Sequence, residues 1–243
     1  MKLIFLHGLT GSHYNFDDMK NEFADTFDTI SFDIIGFASA EKPKTTYNKQ
    51  LYMNFLETKI KDKCIIVGHS MGAILAKDFA IKYPELVQRI YLISYPLQRN
   101  QDGIRDILNK DILIKFYMSN SLISRFFCNS KIVWKYFYLW IIFIFKNKYY
   151  LSAQDYFKHT YNSVYSSIVD YIEKDDWKTI NKVKEKAVFI SGEKDFYVDK
   201  TLLKNFKHYT IPNMGHLFAS YQVEIIKIIK DDIKSNLSKK TAI

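Results

Sequence analysis

The chain has 243 residues, of which 48% are hydrophobic and 25% charged, a composition that suits a globular protein with a large core. The formal net charge is +9 at pH 7, but no nucleic-acid-binding motif accompanies it, so we expect no nucleic-acid partner. Cys64 and Cys128 indicate neither a disulfide framework nor a metal centre, and we predict no metal and no cofactor. The apolar run at residues 3–6 is too short for a secretory signal, which favours a cytoplasmic protein.

Short apolar runs alternate with longer stretches of helical spacing along the first 96 residues. The pattern predicts strands at 2–6, 29–33, 64–67 and 87–93, and helices at about 14–24, 48–61 and 71–83. Strands that alternate with helices predict a mostly parallel central sheet flanked by helices, an α/β fold.

The alternation stops after residue 96. It resumes with strands at 187–191 and 208–211 and a closing helix at about 221–233, after which the last ten residues are expected to fray. We therefore predict one core made of residues 1–96 and 183–243, with an inserted helical lid at 97–182.

Residues 132–145 form the most apolar segment of the chain. At 14 residues, with Lys135 inside it, this segment is too short to span a membrane. Two interpretations stay open for it. It is a lid helix packed over the core, or one of its faces lines an acyl pocket or settles, with the neighbouring lysines, at a lipid surface.

One serine lies between a predicted buried strand and a predicted helix, in the sequence Gly68-His69-Ser70-Met71-Gly72. A serine flanked by small residues at a strand-to-helix turn is typical of a nucleophile elbow. The turn pushes the hydroxyl out of the sheet, and the glycines let neighbouring backbone approach closely.

Seven of the eight glycines lie in five short segments, which are His7 to Ser12, Asp33 to Pro43, the elbow, Gly192 to Asp195 and Met214 to His216. In this order the segments resemble the α/β-hydrolase superfamily, across the whole chain outside the insertion. The resemblance implies the α/β-hydrolase fold with a lid. Ala38 and Ala40 depart from the Asp-x-x-Gly-x-Gly-x-Ser pattern of many relatives, which weakens assignment to a subfamily.

The resemblance implies Ser70 as nucleophile, His216 as general base and Asp195 as the acid that orients the base, in the order that the superfamily uses. It also implies that the backbone N–H groups of Leu9 and Met71 form the oxyanion hole. Each triad residue has a structural alternative: a helix cap for Ser70, a turn former for Asp195 and a solvated loop residue for His216.

Four further residues are expected to support the site, which are His7, Gly8, His69 and Asp33. Asp33 is also the rival candidate for the triad acid, because it ends a neighbouring predicted strand, but we interpret it as an anchor of its loop. The remaining histidines, His13, His159 and His208, are interpreted as surface or packing residues.

A serine at the elbow disfavours the branches that use a carboxylate nucleophile, haloalkane dehalogenases and epoxide hydrolases. We predict a serine hydrolase that cleaves a carboxylic ester or thioester of a hydrophobic acyl group. Amidase and carbon-carbon bond hydrolase activities remain open, as does a non-enzymatic binding protein. The substrate is a small hydrophobic ester, and the basic balance leaves room for an acidic acyl carrier protein or an anionic membrane surface as a partner.

Overall fold

A computed structural model describes residues 1–131, 135–136, 140 and 154–241. Its six strands form one sheet in the order β2-β1-β3-β4-β5-β6, and every pair of neighbours is parallel. The strands are β1 (Lys2–Leu6), β2 (Asp28–Ser31), β3 (Cys64–His69), β4 (Val87–Ile93), β5 (Ala187–Gly192) and β6 (Lys207–Ile211). Because all strands run the same way, their carboxyl ends meet at one edge of the sheet.

Helices cover both faces of this sheet. The core helices are α1 (Asp17–Phe23), α2 (Lys49–Lys59), α3 (Met71–Lys82) and, at the end of the chain, α8 (Gln222–Thr241). The described helices between β4 and β5 are α4 (Gln101–Lys110), α5 (Ile112–Met118), α6 (Leu122–Asn129) and α7 (Tyr161–Ser166), with a π-helix at Ser167–Ile172. Short 3₁₀ helices lie at His13–Phe16, Trp177–Lys186, Lys200–Leu203 and Ala219–Tyr221.

Alternation along the strands divides the core into two layers. In β1, Leu3 and Phe5 join the cluster beneath α1 and α8, whereas Ile4 and Leu6 join the larger cluster beneath α2 and α3. Successive side chains of a strand point to opposite faces, so a strand covered on both faces is apolar throughout. This explains why the buried strands appear in the sequence as continuous apolar runs.

The predicted order of strands and helices is confirmed, with three differences in their bounds. The second strand ends at Ser31 and not at Asp33, because the Asp33 carboxylate takes part in the loop that follows. The first helix begins as a 3₁₀ turn, where Ser12 and Asn15 form a capping box. The closing helix continues to Thr241, through most of the stretch expected to fray.

The described residues of the insertion between β4 and β5 are mainly helical and are joined by short turns. Its division from the core as a lid stays a prediction. Most of the apolar segment at 132–145 lies outside the described residues. No helix in the described part of the chain combines the length and the apolar character needed to cross a membrane.

Candidate active site

The turn from β3 to α3 holds Ser70 in a backbone conformation that only a tightly packed turn maintains, with φ 53° and ψ −118°. The positions two residues before and after Ser70 have room only for glycine. A Cβ atom on Gly72 would lie 2.1 Å from the carbonyl oxygen of Leu6, and one on Gly68 would lie 2.3 Å from that of Gly72. The missing side chain of Gly72 lets the elbow fit against β1, and that of Gly68 lets the two ends of the turn approach each other. Ser70 lies at the carboxyl edge of the sheet.

Ser70, His216 and Asp195 form a continuous chain of contacts, although they come from three separate loops. The Ser70 Oγ lies 2.9 Å from His216 Nε2. On the other side of the ring, His216 Nδ1 lies 3.1 and 3.2 Å from the two carboxylate oxygens of Asp195. A carboxylate can only accept, so the proton resides on Nδ1 and Nε2 is left free to accept the serine proton.

The Asp195 side chain is fully covered, yet it is held in its charged form. Burial by itself raises its pKa, but the hydrogen bond and charge interaction with His216 outweigh burial, and the net shift is downward. The backbone N–H of Tyr197 adds a hydrogen bond of 3.0 Å to Asp195 Oδ1. A buried carboxylate with these partners can orient an imidazole and stabilise its protonated form.

The two expected oxyanion donors flank Ser70. Met71 is the first residue of α3, directly after the serine, and Leu9 follows the His7-Gly8 pair at the end of β1. Gly8 packs beneath the elbow, because a Cβ there would lie 3.2 Å from the Ser70 Cβ. Among the described residues, neither backbone N–H has an acceptor within the protein. The two N–H groups therefore stay the candidate donors for an oxygen atom next to the serine.

His7 and His69 brace the loops around the site. His7 Nδ1 donates to the Gly8 carbonyl at 2.8 Å, and its Nε2 accepts from the backbone N–H of Ile34 at 2.9 Å. His69 Nε2 donates to the carbonyl of His216 at 2.9 Å. Burial lowers the pKa of His7 to about 4 and that of His69 to about 3, so both rings are neutral near pH 7.

Asp33 does not reach His216 and anchors its own loop instead. Its carboxylate accepts from the backbone N–H and hydroxyl of Ser39, and from the backbone N–H and ring Nδ1–H of His13 at 2.9 and 2.8 Å. Burial opposes ionisation, but these donors lower the pKa of Asp33 to about 2. His13, interpreted from the sequence as a surface or packing residue, is partly exposed and pairs its ring with this carboxylate.

One group of described side chains has the composition of a metal site. His13, Asp33 and Asp155 offer ligand atoms that all lie within 4.8 Å of one another. However, Asp33 is occupied by the hydrogen bonds above, and Asp155 pairs with Lys158 at 2.6 Å. Both carboxylates thus already have donors within the protein.

Tyr197 is a site residue that the sequence did not reveal. Its ring centroid lies 4.3 Å from that of His216, and its hydroxyl donates to Asp111 Oδ2 at 3.0 Å. Asp111 caps the amino end of α5, where it accepts from the backbone of Leu113 and Ile114. No spacing rule connects a tyrosine near Asp195 with an aspartate 86 residues away. Only the folded chain shows that the insertion is linked to His216 through Tyr197.

The parallel sheet, the strained serine turn and the histidine loop together define an α/β hydrolase. The sequence matches the family model described as alpha/beta hydrolase fold over residues 2–117. Solved structures of this fold superpose along nearly the whole chain. One is a carboxylesterase of the thaumarchaeon Nitrososphaera gargenis, with a TM-score of 0.70, 16% identity, and coverage of 99% of this chain and 90% of that one. Residues 2–117 thus match the alpha/beta hydrolase family model, and the chain has the α/β-hydrolase fold.

Two curated relatives match a shorter stretch of the chain at higher identity. A 2-(acetamidomethylene)succinate hydrolase of Mesorhizobium japonicum is 32% identical over 97 residues, covering 38% of this chain and 35% of the relative. Epoxide hydrolase 3 of Mus musculus is 31% identical over 100 residues, covering 39% of this chain and 27% of the relative. The matched stretch spans only about a third of these relatives, so the likeness extends to the family and not to a particular reaction.

Proposed function

We propose that this protein is a serine hydrolase that cleaves the carboxylic ester or thioester of a hydrophobic acyl group. The observation that carries the proposal is the chain of contacts from Asp195 through His216 to Ser70, with 2.9 Å between the imidazole Nε2 and the serine Oγ. A serine hydroxyl is a weak nucleophile near neutral pH, and an oriented imidazole is the group that activates it.

In this proposal each residue has a role in a two-step acyl transfer. His216 Nε2 takes the Ser70 proton as Oγ attacks the carbonyl carbon, and the backbone N–H groups of Leu9 and Met71 stabilise the oxyanion. The imidazolium then protonates the leaving alkoxide or thiolate, which leaves an acyl group on Ser70. Water attacks this ester with His216 again acting as base, which releases the acid and restores the hydroxyl.

A serine nucleophile does not suit the opening of epoxides, the reaction for which one relative is named. Opening an epoxide through a covalent intermediate requires a carboxylate attacker, whose alkyl ester is then hydrolysed. The attacking position here is Ser70, whose acyl intermediate is formed from an activated carbonyl. The name of the carboxylesterase with the same fold is consistent with this chemistry.

Exposed apolar side chains next to the triad support a hydrophobic substrate. Phe196 follows the triad acid and is 51% exposed, and Leu217 follows the base and is 74% exposed. Phe196 stacks on Tyr197, with 4.6 Å between ring centroids, so the surface beside His216 is aromatic. Apolar burial supplies most of the affinity in such sites. In this proposal the insertion is a lid that adds the remaining apolar walls.

The test is labelling with a fluorophosphonate, which reacts only with an activated serine, together with hydrolysis of aryl esters graded by acyl length. We expect the wild type to be labelled and Ser70→Ala to lose label and at least about three orders of magnitude in kcat/KM. The matched control is Ser235→Ala in α8, whose serine lies far along the chain from the elbow and should leave both readouts unchanged.

The same panel separates the alternative reactions. It includes a thioester, an anilide and a vinylogous diketone beside the aryl esters, all compared with Ser70→Ala. Turnover of the diketone without turnover of esters would assign carbon-carbon bond hydrolysis, and turnover of the anilide at a comparable rate would assign an amidase. An unlabelled wild type that hydrolyses none of these compounds would overturn the proposal.

A further inference from the structure

Helix α6 carries its apolar face on the outside of the protein. Leu122, Ile123, Phe126 and Phe127 are 84%, 63%, 69% and 51% exposed. At 100° per residue these four lie within an arc of about 140° on one side of the helix. The opposite side, which faces the protein, holds Ser124 and Cys128, both buried. This is the reverse of the arrangement in an ordinary surface helix.

Helix α5 extends this surface. Ile112 is 87% exposed and Leu113 is 49% exposed. Phe116, on the same side of α5 as Ile112, packs edge-to-face on Phe127, with 6.0 Å between ring centroids, and so joins the two helices. We call the side chains Ile112, Leu113, Leu122, Ile123, Phe126 and Phe127 the docking face.

Exposed apolar side chains are concentrated here and are sparse elsewhere in the described residues. Apart from the docking face, the large exposed apolar residues are Tyr136 and Trp140 in the insertion, Phe196 and Leu217 beside the triad, Met1, and Val223. Scattered single apolar residues are normal on a surface, but a contiguous group marks a site of interaction.

The charge of this part of the chain indicates what would cover the docking face. From Ile112 to Gln154 the sequence contains no aspartate and no glutamate, while its basic residues are Lys115, Arg125, Lys131, Lys135, Lys146 and Lys148. Lys115 and Arg125 are exposed and flank the apolar arcs of α5 and α6. Asp111, directly before Ile112, is engaged as the cap of α5 and as the acceptor of the Tyr197 hydroxyl. An apolar face flanked by exposed basic side chains is complementary to anionic lipid headgroups above acyl chains.

We propose that the docking face binds the surface of an anionic lipid bilayer, with α5 and α6 lying in the interface. A second copy of the chain is a poorer occupant, because a two-fold contact would bring the same basic residues of both copies together with no acidic residue of this stretch to pair with them. A bilayer supplies both the apolar depth and the negative charge.

The attachment of α5 places the hydrolytic site close to this interface. Asp111 caps the helix, and the next residue, Ile112, belongs to the docking face. Asp111 accepts a hydrogen bond from Tyr197, whose ring packs on His216. If the proposed function holds, the substrates are amphiphilic esters taken from the membrane surface. Lipid binding itself does not depend on hydrolysis.

The experiment is cosedimentation with vesicles, performed with the wild type and with Ser70→Ala so that binding is measured separately from hydrolysis. Vesicles of phosphatidylglycerol and phosphatidylcholine in equal amounts are compared with phosphatidylcholine alone. We expect at least about tenfold stronger partitioning to the anionic vesicles, weakening as salt is raised. Leu122→Ser with Phe126→Ser should lower partitioning by about tenfold or more, and Lys115→Gln with Arg125→Gln by a similar factor.

One matched control keeps apolar side chains on the docking face, and the other removes two positive charges away from it. Leu122→Met with Phe126→Leu should retain binding, and so should Lys61→Gln with Lys63→Gln, because those lysines precede β3 at the opposite edge of the sheet. Soluble aryl-ester activity should stay constant in all these variants. The proposal is overturned if the wild type binds neither kind of vesicle. It is also overturned if only the charge variants lose binding, as expected for a face that binds an acidic protein. A third contrary result is a dimer, detected by light scattering, that the serine variants dissociate.

Discussion

Helices α3 and α6 differ in what their apolar residues contact. In α3 the residues from Met71 to Ala80 are all buried, including Lys77 and Asp78. In α6 the apolar residues are exposed and the buried positions are a serine and a cysteine. Helical periodicity identifies apolar residues in both helices, but it does not show whether they pack in the protein core or lie on the surface. The core helix begins at the Ser70 turn, and the insertion helix presents an apolar surface.

The basic side chains of the core and of the insertion also differ in burial. Lys77 lies within α3 at 1% exposure, and its Nζ reaches Asp175 at 2.5 Å and Asp78 at 3.3 Å. Asp175 also accepts from the hydroxyl of Tyr95 at 2.5 Å. Burying an ammonium group is tolerated only with partners of this kind. The basic residues that flank the docking face, Lys115 and Arg125, remain exposed, where an external partner can reach them.

The largest effect is expected for Asp195→Asn in the core. The amide would favour the wrong imidazole tautomer, with the proton on the side that faces Ser70, so kcat should fall by about a thousandfold or more. Ester hydrolysis and urea unfolding are measured together, because the fold should be retained. Asp199→Asn is the matched control, since it changes an aspartate on the same loop that caps a 3₁₀ helix. Comparable losses in both variants would contradict the assigned role of Asp195.

A second comparison uses one glycine from each region. In Gly72→Ala the new Cβ meets backbone oxygens of β1 that cannot withdraw, so the free energy of unfolding should fall by about 3 kcal/mol. In Gly103→Ala, within α4, the nearest atoms are side-chain atoms at 3.2 and 3.3 Å, and a change of less than about 1 kcal/mol is expected. Chemical denaturation provides both numbers. Equal losses would mean that the elbow is not tightly packed against β1.

The core was predictable because its signals are local. Each buried strand is an apolar run, and the elbow glycines are required by contacts two to four residues from Ser70 or in the neighbouring strand. The end of the second strand was predicted at Asp33 and lies at Ser31. This difference depends on residues outside the strand, because His13 and Ser39 donate hydrogen bonds to the Asp33 carboxylate and hold it in the following loop. The insertion was less predictable. The apolar spacing of α6 is clear, but its orientation is set by packing across the fold.

Acid should destabilise the protein through its buried histidines. Burial lowers the pKa of His7 to about 4 and those of His69 and His159 to about 3, whereas an unfolded histidine titrates near 6.5. Between those values the unfolded chain binds more protons than the folded one, so stability is greatest above about pH 6.5 and falls as the pH drops toward 4. Each ring contributes up to roughly 1.4 kcal/mol per pH unit.

His159 allows this acid effect to be assigned to a region. It lies in the insertion, where its Nε2 is 3.0 Å from the hydroxyl of Tyr117. Urea unfolding of His159→Gln should show a shallower dependence on pH than the wild type, with the difference confined to values below about 6.5. An unchanged slope would show that acid acts only through His7 and His69 in the core, and that the insertion unfolds independently of it.

The smallest effect is expected on the docking face. Ile123→Ala removes a side chain that is 63% exposed, and alanine is the better helix former, so the free energy of unfolding should change by less than about 0.5 kcal/mol. Its counterpart in α3, Ile74→Ala, removes a fully buried side chain and should cost about 2 to 5 kcal/mol. Both are measured by denaturation without lipid. A loss above about 1 kcal/mol for Ile123→Ala would mean that this helix face is covered within the protein, which leaves no apolar surface for a bilayer.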